Sequence, residues 1–151
     1  MTDLSHPFWR AVRGELAAPP CARTLGWELI EAEPDSGRIR IRFQARPEFA
    51  NPTGAIQGGF LAAMLDDAMG TALATTYESG QFSPTLELKV SFLNPARPGP
   101  LIGEGRVLKR GRGVAFLEGR LETESGQRIA IATATARLIQ IDDARMSPEE
   151  A

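Results

Sequence analysis

Hydrophobic and polar residues alternate most regularly over Arg38–Arg46, where Ile39, Ile41 and Phe43 are interleaved with Arg38, Arg40 and Arg42. A period of two predicts a strand with one buried and one wet face. Leu25–Glu33 reads as a preceding strand, joined to it by the turn Pro34-Asp35-Ser36-Gly37. Further upstream, Phe8, Val12 and Leu16 recur at four-residue intervals, so Ser5–Leu16 is expected to be a short amphipathic helix that docks on the body and stops at Pro19-Pro20. Phe60–Tyr77 is rich in Ala, Leu and Met, with apolar and small residues around nearly its whole circumference. That pattern predicts one long helix held inside the protein. Four more strands are expected at Thr85–Phe92, Leu101–Lys109, Val114–Thr123 and Arg128–Ile139. The intervening segments, Asn94–Pro100, Arg110–Gly113 and Ser125-Gly126, are short and imply an antiparallel meander. Two strands, a buried helix and four strands describe an α+β domain whose curved sheet wraps the helix.

Length and composition narrow this picture. With 151 residues, 42% hydrophobic and 24% charged, the chain fits one domain. Its expected organisation is an N-terminal helix and linker over 1–24, the folded domain over 25–141 and a disordered tail over 142–151. Asp66 and Asp67 interrupt the apolar helix before it reaches the roughly 18 residues of a membrane span. The N-terminal stretch lacks the pattern of a secretory signal, so the expected compartment is the cytoplasm. A formal net charge of -2 argues against nucleic acid as a partner, although a few local arginines can still hold the phosphates of a small molecule.

The chain has one histidine, His6, and one cysteine, Cys21. Both precede the first convincing strand, so a Ser-His-Asp or Cys-His site is improbable, and a zinc site of the usual ligands is excluded by the count. Acid–base work falls to a carboxylate, with neither metal nor cofactor expected. Gly58-Gly59 opens the long helix, where free N–H groups and the positive end of the dipole suit a developing oxyanion. Taken alone, the pair is better accounted for by a plain helix-entry turn. Asp66 lies about two turns past Gly59 on nearly the same helix face, and Asp67 is rotated roughly 100° away. A buried carboxylate costs free energy unless bonded, so each aspartate is either functional, a satisfied polar residue, or on a helix face that meets water at a subunit edge.

The run from Asn51 through Pro52-Thr53-Gly54-Ala55-Ile56-Gln57-Gly58-Gly59 to Asp66 resembles the signature of phenylacetic-acid-degradation-type hotdog thioesterases. So do the strand from Thr85 to Pro95-Ala96 and the turns Arg110-Gly111-Arg112 and Gly126–Ala130; the likeness spans about residues 25–139. It implies a hotdog fold and hydrolysis of an acyl-coenzyme A thioester. By the resemblance, Asp66 is the base that activates water, Gly58 donates its N–H to the thioester oxygen, and Asn51 helps hold the carbonyl or the water. Thr85 supplies a hydroxyl to the carboxylate across a dimer interface, and Gln57 and Gly59 contact substrate. The resemblance also implies a homodimer, with a dimer of dimers plausible. Gln57 stands where the family has a histidine, and glutamine cannot take up a proton near neutral pH. Arg110 and Arg112 are candidates for the coenzyme A phosphates, with a solvated hairpin turn as the plainer account. Two other activities compete with hydrolysis. A hotdog dehydratase would need a histidine with the carboxylate, whereas a non-catalytic acyl-CoA-binding domain is compatible with Gln57.

Overall fold

The computed structural model describes residues 2–142 and Arg145. The expected tail therefore lies, apart from Asp142 and Arg145, outside the described residues. The elements are α1 (Pro7–Val12), α2 (Pro20–Leu25), β1 (Glu28–Glu33), β2 (Arg38–Ala45), a short 3-10 turn (Pro47–Phe49), α3 (Gly58–Ala74), β3 (Gln81–Phe82), β4 (Thr85–Phe92), β5 (Gly99–Arg110), β6 (Val114–Thr123), β7 (Arg128–Arg137) and β8 (Ile139–Gln140). Six strands form one antiparallel sheet in the order β1-β2-β5-β6-β7-β4, and β3 pairs with β8 in a separate two-stranded ribbon. α3 lies across the sheet as the central helix, the hotdog arrangement that the family resemblance implies.

Two expectations about the N-terminal half need correction. Leu25 ends a helix and does not begin a strand. Pro20 sits in the first turn of α2, where its missing N–H costs nothing, and Gly26 caps that helix in the left-handed region at φ 67°. The first helix is also shorter than Ser5–Leu16, ending at Val12. The meander is corrected as well: β5, β6 and β7 follow one another, but β4 pairs with β7 at the sheet edge. Residues 93–98 contain Pro95 and Pro98, whose fixed φ favours an extended crossing over a hairpin. Ala96 is buried along that crossing and accepts a hydrogen bond from Ile56 N–H at 2.8 Å. The last strand is likewise divided, since β7 stops at Arg137 and Ile139–Gln140 turns away to β3.

Ile39, Ile41 and Phe43 of β2 are fully buried, together with Met64, Leu65, Met69 and Leu73 of α3 and Leu101, Leu117, Leu121 and Ile129 of the later strands. The helix can lie close to the sheet because β5 carries glycine where the two meet. A β-carbon on Gly105 would stand 2.0 Å from the carbonyl oxygen of Ala68. On the opposite face the arginine row is occupied by carboxylates: Arg38 bonds Glu33 and Glu104, Arg40 lies near Glu104, and Arg42 faces Glu28 and Glu124. Burial alone would raise the Glu104 carboxyl, but the bond from Arg38 and the charges of Arg120, Arg38 and Arg40 hold it below the usual range. β1 closes one edge of the sheet with a bulge between Leu29 and Glu31 and with Glu28, Glu31 and Glu33 along it. Among the described residues no helix is long and apolar enough to cross a membrane.

Candidate active site

The loop before α3 is tied at its neck. Ala50 and Ile56 form an isolated bridge, Gln57 N–H donates to Phe49 O at 2.8 Å, and Asn51 N–H donates to Ala55 O at 2.7 Å. The Asn51 side-chain carbonyl oxygen accepts from both Thr53 N–H and Thr53 Oγ1, at 2.9 and 2.7 Å. That oxygen is committed to shaping the turn, so the amide Nδ2 is the part of Asn51 that can meet a ligand. Arg97 braces the same loop by donating to Thr53 O at 3.0 Å.

Gln57 is the N-cap residue of α3, exposed, and makes no capping bond with its side chain. Gly58 and Gly59 occupy the first helical turn, where backbone N–H groups have no intrahelical acceptor. Space is open at Gly59, with no atom within 4 Å of where a β-carbon would stand. The Phe92 ring closes over Gly58, where a β-carbon would meet its Cζ at 3.1 Å. No feature of the sequence announced that aromatic neighbour.

Asp66 is half-buried on the side of α3 that also carries Gly59 and Ala63, both exposed. Thr85, the first residue of β4, donates its hydroxyl to Asp66 Oδ1 at 2.7 Å. This bond forms within one chain, which corrects the expectation of a contact across a dimer interface. α3 and β4 run in opposite directions, so the start of the strand arrives at the third turn of the helix. Gly58 and Asp66 are eight residues apart, about 12 Å along the axis. A base and an oxyanion donor serving one carbonyl each work at hydrogen-bond distances of about 3 Å, so 12 Å is too far for one chain's pair to act together.

Asp67 points elsewhere and has a different character. Its Oδ1 is buried without a hydrogen-bond partner, and so is the indole Nε1 of Trp27. Burial, reinforced by the adjacent charge of Asp66 and opposed by the Trp27 indole, pushes the Asp67 carboxyl up to about 7. The residue is thus half-buried, with one carboxylate oxygen shut away from water and without a partner.

Arg110 is engaged inside the chain. It donates to Thr76 O at 2.8 Å and to Gln81 Oε1, linking the end of α3 to β3. Arg112 is exposed in the β5–β6 turn. Both stand near the C-terminal end of α3, away from the glycines. The single histidine is structural: His6 is buried, its Nδ1 accepts from Phe8 N–H, and its Nε2 bonds Gln81 O at 2.9 Å. Cys21 is exposed on α2. Neither side chain lies with Asp66 and Thr85.

The profile of the thioesterase superfamily matches residues 53–130, more than half of the chain and the stretch that holds Gln57, Gly58, Asp66 and Thr85. The chain belongs to the thioesterase superfamily. Within it, the chain is similar to a phenylacetic acid degradation-related protein of Ralstonia eutropha JMP134, a candidate thioesterase. That likeness has 40% identity, a TM-score of 0.83 and covers 86% of this chain and 98% of the other. A Bacillus halodurans protein solved with CoA is 25% identical with a TM-score of 0.74, over 87% and 86% of the two chains. An esterase-like protein of Saccharolobus solfataricus is 31% identical over 62% of this chain, and the chain spans 66% of that relative's length.

Proposed function

We propose that this superfamily member hydrolyses acyl-coenzyme A thioesters at a site completed by two copies of the chain. The observation that carries the reading is the Thr85–Asp66 hydrogen bond beside a helix face of small residues. A hydroxyl that donates to one carboxylate oxygen fixes the carboxylate and leaves the other oxygen for water. Asp66 accepts a proton as the water oxygen bonds the thioester carbon, and the carbonyl electrons move to its oxygen. That oxyanion is held by Gly58 N–H from the second copy, at the positive end of α3. Collapse re-forms the carbonyl and expels the thiolate, which takes the proton from Asp66. Free acid and thiol are the products.

The 12 Å between Gly58 and Asp66 in one chain supports sharing the site between copies. Asn51 contributes through Nδ2, and the Gln57 amide hydrogen-bonds substrate without exchanging protons. Coenzyme A as the thiol component is supported by the CoA-bound relative from Bacillus halodurans. Arg112 is the free candidate for its phosphates, because the Arg110 guanidinium is engaged in its own chain. Gln57 favours a second reading, an acyl-CoA-binding domain without turnover. A panel of acyl-CoAs assayed with a thiol reagent decides between them: turnover that disappears in Asp66→Asn supports hydrolysis, and tight binding with no turnover in wild type sinks it.

A further inference from the structure

The first turn of α3 is closed on one side and open on the other. Phe60 and Leu61 return their N–H groups to Gln57 O at 3.0 and 3.4 Å, which leaves those of Gly58 and Gly59 without an acceptor among the described residues. A β-carbon on Gly58 would stand 3.1 Å from Cζ of Phe92 and 3.4 Å from each Cε, whereas one on Gly59 would have no neighbour within 4 Å. Glycine at position 58 is thus what lets the tip of the ring rest on the backbone. The root of the ring is fixed as well. Phe92 pairs with Ala130, Leu93 and Asn94 both donate their N–H groups to Ile129 O, and Asn94 Nδ2 donates to Arg128 O at 2.7 Å. Phe60 is engaged elsewhere, stacked on Phe49 with ring centroids 4.1 Å apart. Core packing does not account for the placement of Phe92, which is 53% exposed and lies outside the buried cluster around α3.

We propose that Phe92 orients the thioester and restricts its acyl group, by closing the Gly58 side of the α3 N-terminus so that one face of the bound carbonyl lies against the ring. The inference deepens the hydrolytic reading and rests on it. A carbonyl oxygen that reaches the free N–H groups has the ring on its Gly58 side and open space on its Gly59 side. Water and substrate therefore share the open side, and the plane of the thioester is set before reaction. The closed face also filters substrates. An acyl chain unbranched next to the carbonyl turns only hydrogen toward the ring. A carbon there that bears three other carbons has at least one of them on each face of the carbonyl, however it rotates. Such an acyl group meets the ring, in a gap that does not admit one methyl carbon without displacing Phe92.

The test compares butyryl-CoA with pivaloyl-CoA, whose carbonyl carries a fully branched carbon, in wild type, Phe92→Ala and Phe92→Leu. Phe92→Ala is expected to raise kcat/KM for the branched ester relative to the straight one about tenfold or more, the scale of discrimination by a methyl-sized contact. On butyryl-CoA, kcat is expected to fall about tenfold as orientation is lost, with KM nearly unchanged. Phe92→Leu keeps part of the cover and is expected to move the ratio the same way by less, so the proposal stays testable if the alanine variant does not fold. A ratio that stays at the wild-type value in the folded variants overturns the proposal even where kcat falls, because a general structural loss slows both esters alike. Should wild type bind both esters without turning either over, the hydrolytic reading fails, and the ratio of their dissociation constants by calorimetry then judges Phe92 alone. A binding ratio that Phe92→Ala shifts toward pivaloyl-CoA upholds the closed face, and an unshifted one overturns it.

Discussion

Asp66 and Asp67 are neighbours with opposite surroundings, and the difference is measurable. Asp66→Asn keeps the hydrogen bond from Thr85 within reach but removes the base, so kcat is expected to fall by roughly 10²–10⁴ with little change in binding. Asp67→Asn is expected to keep kcat within about tenfold and to act on stability. Its carboxyl is raised from an ordinary 3.8 to about 7 in the folded chain, so between those values the native state holds a proton that the unfolded chain has released. Stability therefore falls as pH rises through that window, by on the order of 4 kcal/mol in full. The uncharged asparagine escapes this loss, and its advantage over wild type in urea midpoint should be small near pH 4 and largest above pH 7. Superimposable pH profiles for the two proteins would refute it. The position of Asp66 was legible because seven residues from Gly59 is two helical turns, a relation internal to one helix. The Thr85 bond was reachable only through the family resemblance, and its chain assignment depended on the course of β4. The missing partner of Asp67 was not legible at all, since it turns on Trp27 in a distant segment.

At the scale of elements, α3 owes its position to glycines that are not equivalent. Gly105→Ala drives a β-carbon into the Ala68 backbone and is expected to destabilise the protein by several kcal/mol, or to prevent folding, in thermal or urea unfolding. Gly59→Ala meets open space and improves helix propensity, so stability should hold or rise by up to about 1 kcal/mol. Its cost should appear in kcat/KM, where a methyl group obstructs the approach to the backbone. Unchanged kinetics in a stable Gly59→Ala protein would remove that glycine from the site. Faces were readable in the sequence because period two assigns each residue a side, as β2 bears out with Ile39, Ile41 and Phe43 buried. Neighbours were not, because an alternating strand fits beside any other of matching length. The placement of β4 against β7 depends on a proline-braced crossing whose direction no local pattern encodes. Leu25 misled for a related reason: an apolar residue before an alternating run also suits the buried end of a short helix.

For the whole molecule, a site divided between copies makes activity depend on protein concentration. Specific activity of the wild type should decline on dilution below the dissociation constant of the pair, with kcat and light-scattering mass falling together. A monomer that remains fully active at micromolar concentration would contradict the shared site. The two edges of the sheet also differ in what they permit. β4 is regular from Glu87 onward and apolar at both ends, whereas β1 carries a bulge and three glutamates. A regular edge can accept a further strand, and a kinked, acidic edge offers no regular ladder to extend. The β1 bulge thus blunts one edge of the sheet, and straightening it while neutralising its glutamates should leave that edge open to growth by further strands, strand upon strand.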